Sequence, residues 1–77
     1  MTVQADKELD TCGLNCPLPI LKTKKTLNDM SSGQVLKVMA TDPGSLRDFE
    51  AFARQTGHEL VQQTTQDGRY EFYLRRR

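Results

Sequence analysis

The sequence predicts an α+β fold: a two-layer α/β sandwich of order β-α-β-α-β-β, with a four-stranded mixed sheet and two helices on one face. Three observations carry that expectation. The 77 residues suffice for one small domain with one core, spanning residues 1–77, and such a domain buries only about 60% of its unfolded surface. Two segments with helical apolar spacing alternate with short strand-like runs. An Asp67-Gly68 pair separates the last two runs and is a strong two-residue hairpin signal. Amphipathic helices must bury their apolar faces, and packing both on one sheet gives two layers.

The elements follow in order. Lys7-Glu8-Leu9-Asp10-Thr11 is short and alternating and reads as a first strand. Gly13 breaks it. Pro17 and Pro19 are tolerated only in the first turn of a helix, where amides lack an intrahelical partner, so a helix is expected from Pro17. Ile20, Leu21, Leu27 and Met30 give that helix a partial apolar face, and Gly33 after Ser31-Ser32 is expected to cap its end. Val35-Leu36-Lys37-Val38-Met39-Ala40 is apolar on both alternations apart from Lys37, the pattern of a strand covered on both faces. Asp42 before Pro43, or Ser45 with Asp48, is expected to cap a second helix. Leu46, Phe49, Phe52, Ala53 and Thr56 keep helical spacing, with Phe49 and Phe52 as core anchors, and Gly57 closes the helix. Leu60–Thr65 reads as a strand. Tyr70, Phe72 and Leu74 alternate with Glu71, Tyr73 and Arg75, so the last strand has one buried and one wet face. The Arg75-Arg76-Arg77 end is expected to fray.

Composition narrows the function. Hydrophobic residues make up 36% and charged residues 27% of the chain, a soluble globular profile. The net charge of +1 argues against direct nucleic-acid binding, which usually shows a clear basic excess. No apolar run approaches the roughly 18 residues of a membrane span. The stretch Met1–Lys7 lacks the charged-then-apolar design of a secretion signal, so a cytoplasmic location is expected.

The chemistry concentrates on two cysteines, Cys12 and Cys16, in Thr11-Cys12-Gly13-Leu14-Asn15-Cys16-Pro17-Leu18-Pro19. In a reducing compartment such cysteines are more often reactive or metal-binding than disulfide staples. Two cysteines alone cannot close a four-ligand zinc site, and His58 lies far along the chain, so no metal is expected. With Cys16 as N-cap and Pro17 as first helical residue, the thiol sits at the positive end of a helix dipole. Pro19 has no amide hydrogen, which leaves the Leu18 N–H as the local donor to the sulfur. That arrangement lowers a thiol pKa, favours the nucleophilic thiolate, and stabilises a persulfide anion by the same means. The alternative is a small buried apolar cysteine. Lys22, Lys24 and Lys25 form either a solvated face or a docking surface for acidic partners. His58 reads as a polar residue opening the third strand; a role as base requires it near Cys16.

Gly13-Leu14-Asn15-Cys16-Pro17-Leu18-Pro19 resembles the Cys-Pro-x-Pro signature of the TusA/SirA sulfur-carrier family. The likeness continues through Lys24-Lys25-Thr26-Leu27, Gly33, Thr41-Asp42-Pro43, Arg47-Asp48 and Gly57-His58-Glu59-Leu60. It implies the same β-α-β-α-β-β sandwich. It implies that Cys16 takes sulfane sulfur as a persulfide, with Pro17, Leu18 and Pro19 as its supporting motif and Asp42 as an acidic turn residue contacting donors. The implied donors are cysteine desulfurases or rhodanese-like proteins. The implied acceptors are DsrE/TusD-type proteins, leading to sulfur oxidation or to 2-thiouridine in tRNA, and the Asn15, Leu18 and Ile20-Leu21 context looks like the sulfur-oxidation members. A monomer acting stoichiometrically, without a cofactor, is expected. Cys12 departs from the family pattern, where a small residue such as Ala or Ser precedes the glycine. It is either the end of the first strand or a resolving thiol. A regulatory module with an inert thiol and a Cys12/Cys16 dithiol redox protein are the rival functions.

Overall fold

The computed structural model describes residues 4–77. Met1, Thr2 and Val3, which open the stretch read above for a secretion signal, lie outside the described residues. Six elements follow the expected order: β1 Lys7–Asp10, α1 Leu18–Asn28, β2 Val35–Ala40, α2 Ser45–Thr56, β3 Glu59–Gln66 and β4 Arg69–Arg75. The four strands form one sheet in the order β1-β2-β4-β3. β1 pairs parallel to β2, and β4 pairs antiparallel to both β2 and β3. The chain thus crosses from β2 through α2 to the far edge, then returns by a hairpin into the gap. The hairpin turn has positive φ at both Asp67 (52°) and Gly68 (77°), the backbone that a two-residue turn needs to match the twist of its strands.

One face of the sheet carries the core. Leu36, Val38 and Ala40 of β2 and Phe72 and Leu74 of β4 alternate inward and meet Leu27 and Met30 from the α1 side and Phe49 and Phe52 of α2. Phe49 stacks on Phe72 with ring centroids 4.3 Å apart, and Phe52 meets Phe49 edge-on at 6.5 Å. Both phenylalanines of α2 are core anchors, as their spacing predicts. Past the buried Val35 the other face of β2 is open, contrary to the reading of the strand as covered on both sides. Lys37, Met39 and Tyr73 are only half-buried there, and Lys37 pairs with Glu71 at 3.8 Å across β2 and β4.

α1 differs from its expectation in three respects. It begins at Leu18, with Pro17 as the residue before the first helical position. The Pro17 carbonyl accepts the first helical bond, from Leu21 N–H at 3.0 Å. Pro19 therefore sits at the second helical position, where its missing N–H costs nothing. The buried stripe is Pro19, Thr23 and Leu27, three residues at four-residue spacing. Leu21 lies about 200° round the helix from Pro19 and is 54% exposed. Thr23 hides its hydroxyl by donating to the Pro19 carbonyl at 2.8 Å. Gly33, with φ 89°, does not cap this helix, which ends at Asn28 with Asp29 as cap. It turns the chain into β2 instead: Gln34 N–H bonds to the Ser31 carbonyl, and Gly33 N–H to the Arg76 carbonyl.

α2 ends as expected at Gly57, left-handed with φ 84° and bonded to the Ala53 carbonyl. Neither expected side chain caps its start. Gly44 is the N-cap residue, with no side-chain bond, because Asp42 is engaged elsewhere. The arginine-rich end is tied down rather than frayed. Arg75 pairs with Glu59 at 2.9 Å, and Arg76 donates its backbone N–H to Gln34 and its Nε to the Leu27 carbonyl. Among the described residues no helix is long and apolar enough to cross a membrane.

Candidate functional site

Parallel pairing of β1 and β2 brings the loop after each strand to the same end of the sheet, where open α/β sheets commonly build their sites. One loop carries Cys12 to Pro17 and the other is the Thr41–Gly44 turn. Successive hydrogen bonds join them. Thr11 donates its N–H at 2.8 Å and its hydroxyl at 2.6 Å to the Met39 carbonyl. Gly13 N–H donates to Thr41 Oγ1 at 2.9 Å. Cys16 N–H donates to Asp42 Oδ2 at 2.8 Å. The second oxygen of Asp42 accepts from Gly44 N–H at 3.1 Å. Asp42 therefore fixes both loops at once, and its backbone contact to Cys16 explains why it does not cap α2.

Cys16 is exposed and its thiol free; the Cys16–Pro17 peptide is cis. Cys16 borders two shallow depressions. One is charged and includes Asp42, Arg47, Asp48 and Glu50. The other is a groove between the helices that includes Pro17, Ile20, Ala51 and Phe52. Leu18, 46% exposed, and Leu21 continue an apolar surface along the neighbouring face of α1. Asp48 borders both depressions. A Cβ built on Gly44 would lie 3.7 Å from Asp42 Oδ1 and 3.8 Å from Asp48 Oδ2, so the two carboxylates converge over that glycine.

The electrostatics reverse the expectation drawn from the helix dipole. The Leu18 N–H is not a donor to the sulfur: it bonds the Asn15 carbonyl at 2.9 Å, and Cys16 stands one residue outside the N-cap. The Cys16 thiol is pushed above its ordinary value, first by the Asp48 carboxylate, which favours the protonated thiol as a donor. Desolvation and the charges of Asp48 and Asp42 act in the same direction. A nearby negative charge raises a thiol's pKa, opposite in sign to the effect of a helix N-terminus.

Cys12 is half-buried and free and borders neither depression at Cys16. Its N–H donates to Asp10 Oδ1 at 2.9 Å. Its thiol is pushed up by burial, then by Asp10 as hydrogen-bond acceptor and as a charge. Asp10 in turn is held below the usual carboxylate value, chiefly by the Cys12 backbone N–H. Lys22, Lys24 and Lys25 are exposed. Lys24 faces a different hollow, shared with His58, Arg76 and Arg77. His58 is not at Cys16; its Nδ1 accepts the Arg77 N–H at 3.0 Å. Among the described residues no three His, Cys, Asp or Glu side chains cluster in a way that would hold a metal ion. Of the residues singled out by sequence, the structure brings together Cys16, Pro17 and Asp42. It adds Asp48, which the sequence marked only as a partner of the possible cap Ser45 and as part of the Arg47-Asp48 likeness, neither of which points to Cys16.

The chain is similar in sequence to known sulfur-carrier proteins and in fold to a solved structure. The profile of the family described as sulfurtransferase TusA matches residues 7–76. The sulfur carrier protein TusA of Allochromatium vinosum is 62% identical over 71 residues, covering 92% of this chain and 93% of that protein. TusA of Pseudomonas aeruginosa is 42% identical over 77 residues, covering 100% and 98%. A putative sulfur carrier protein of Bacillus subtilis, YrkI, is 42% identical over 74 residues, covering 96% and 99%. The crystal structure of a SirA-like protein from Desulfitobacterium hafniense shares the fold, with a TM-score of 0.80 at 24% identity over 90% of this chain and 95% of that one. Matched over nearly its whole length by the family profile and by these relatives, the chain belongs to the TusA family.

Proposed function

We propose that the protein is a sulfur carrier and that Cys16 holds the cargo as a persulfide. The observation that carries this reading is the presentation of Cys16: an exposed thiol on a loop whose backbone is clamped by Asp42 at 2.8 Å. A relay needs a sulfur that other proteins can reach and a backbone that does not drift when they do. In loading, the Cys16 thiolate attacks the outer sulfur of a donor persulfide. A new S–S bond forms on Cys16, the donor's S–S bond breaks, and its electron pair leaves on the donor thiolate. The Cys16 proton has gone to solvent beforehand. In unloading, an acceptor thiolate attacks the outer sulfur and Cys16 leaves as thiolate.

The donor in this reading is a rhodanese-like protein or a cysteine desulfurase, and the acceptor a DsrE/TusD-type protein. The pathway served is sulfur oxidation or tRNA thiolation, in the cytoplasm. Leu18 and Leu21 form the apolar part of the docking surface, and Lys22 and Lys25 its charged rim. Pro17 and Pro19 hold the start of α1, and Cys12 stays structural. The protein acts as a monomer, stoichiometrically, with no metal or organic cofactor.

Intact-protein mass spectrometry after incubation with a sulfane-sulfur donor tests the assignment. Wild type and Cys12→Ser should gain the mass of one sulfur atom, removable by reductant, and Cys16→Ser should gain none. No gain in wild type refutes it and favours the interaction module with an inert thiol. The observation favouring that second reading is the upward push on the Cys16 thiol, which slows reaction at neutral pH.

A further inference from the structure

We propose that Thr41 is a positioning residue for Cys16: its hydroxyl holds Gly13 and is the second of two side-chain pins, beside Asp42, that orient the cysteine loop. The proposal rests on the reading of Cys16 as the sulfur-bearing residue. It names a residue outside the Cys-Pro-x-Pro stretch on which the rate of transfer depends.

The loop between Thr11 and α1 has few attachments to the rest of the fold. Cys12 N–H bonds Asp10 Oδ1, Leu14 N–H bonds the Thr11 carbonyl and Leu18 N–H the Asn15 carbonyl. All three stay within the same stretch of chain. Among the described residues, two hydrogen bonds tie this loop to the β2–α2 turn. Gly13 N–H donates to Thr41 Oγ1 at 2.9 Å, and Cys16 N–H donates to Asp42 Oδ2 at 2.8 Å. Only Leu14 and Asn15 stand between the two held amides. A segment held at one point still turns about that point, and a second point removes the turn.

Gly13 is where the second point matters. Its φ is 83°, and a Cβ built there would meet nothing within 4 Å. Backbone conformation, not space, calls for glycine at this bend, and glycine is the residue with the most freedom to lose. The Thr41 hydroxyl therefore restrains the loop at its loosest residue. Thr41 is branched at Cβ, which leaves few χ1 rotamers and aims the hydroxyl at low entropic cost. It is exposed, so its removal leaves no buried polar group behind.

The consequence is a split between two kinds of reagent. Transfer from another protein's persulfide requires the sulfurs to meet in line, about 3–3.5 Å apart, while both chains are docked. A small alkylating agent reaches an exposed thiol from many directions. Loosening the loop slows the first reaction and leaves the second alone.

The test uses a Cys12→Ser background, so that one thiol reports. Loading of Cys16 from a persulfidated rhodanese is followed by mass over a range of carrier concentrations, beside alkylation by iodoacetamide. All rates are taken well below the melting temperature. Thr41→Val keeps the branched shape and deletes the acceptor. It should lower the saturated rate of loading severalfold and leave alkylation unchanged. Thr41→Ser, which keeps the acceptor, should restore most of the rate. Thr41→Ala serves as a second variant without the acceptor should valine fold poorly. A change in KM alone would mean that Thr41 touches the donor, and it overturns the proposal. So does an unchanged loading rate in the folded variants lacking the acceptor. Amide exchange at Gly13 and Cys16 gives a readout independent of sulfur. If the parent does not load, the carrier reading falls. Faster exchange at both amides in Thr41→Val then still upholds the pin, and unaltered exchange overturns it.

Discussion

Removing the Asp42 clamp is the most direct probe of how fold and site are joined. The carboxylate accepts two backbone hydrogen bonds, from Cys16 N–H at 2.8 Å and Gly44 N–H at 3.1 Å. Asp42→Ala deletes both. Asp42→Asn keeps one acceptor oxygen and can keep only one of the bonds. Both N–H groups lie where water can replace the lost partner, so each bond is worth about 1 kcal/mol, the ordinary net value, rather than the penalty of a buried orphan. The alanine variant should therefore lose about 2 kcal/mol and the asparagine variant about 1 kcal/mol. For a domain of this size each kcal/mol lowers Tm by about 4–8 °C. Urea unfolding followed by circular dichroism gives the free energies, with an unchanged m-value as the control for two-state behaviour. Backbone amide exchange at Cys16 should quicken in both variants. An alanine variant within about 0.5 kcal/mol of wild type, with Cys16 exchange unaltered, would refute the claim that Asp42 holds the cysteine loop.

Two further predictions concern the body of the domain. His58 is held below its ordinary value of 6.5, first by burial and then by the charges of Arg76 and Arg77. The unfolded chain thus binds the proton more readily, and stability present above pH 6.5 is lost as pH falls toward the folded-state value. Melting between pH 7 and pH 5 should show this loss in wild type and a smaller one in His58→Gln, and equal losses would contradict it. Phe49→Ala removes a fully buried ring stacked on Phe72. It should cost about 3–5 kcal/mol, a large part of the roughly 4–12 kcal/mol available to a chain of this length; a loss under about 1 kcal/mol in urea unfolding would contradict the core assignment.

Most of the fold is legible along the chain because local signals and tertiary demands agree. The Asp67-Gly68 turn, the helical spacing of Phe49 and Phe52, and Gly57 each specify their own element. The misreadings occur where one signal serves two structures. Leu21 fits an apolar helical face in sequence, yet Pro19 and Thr23 take the buried stripe. Thr23 can do so because it satisfies its hydroxyl on its own helix, a solution that hydrophobicity does not register. Asp42 has the sequence of a helix cap, but one of its oxygens is claimed by an amide 26 positions earlier and the other by Gly44 N–H. That contact exists only because β1 and β2 lie parallel and bring their following loops together. Asp48 was hidden for the same reason. The motif located the cysteine, and the carboxylates around it come from across the fold.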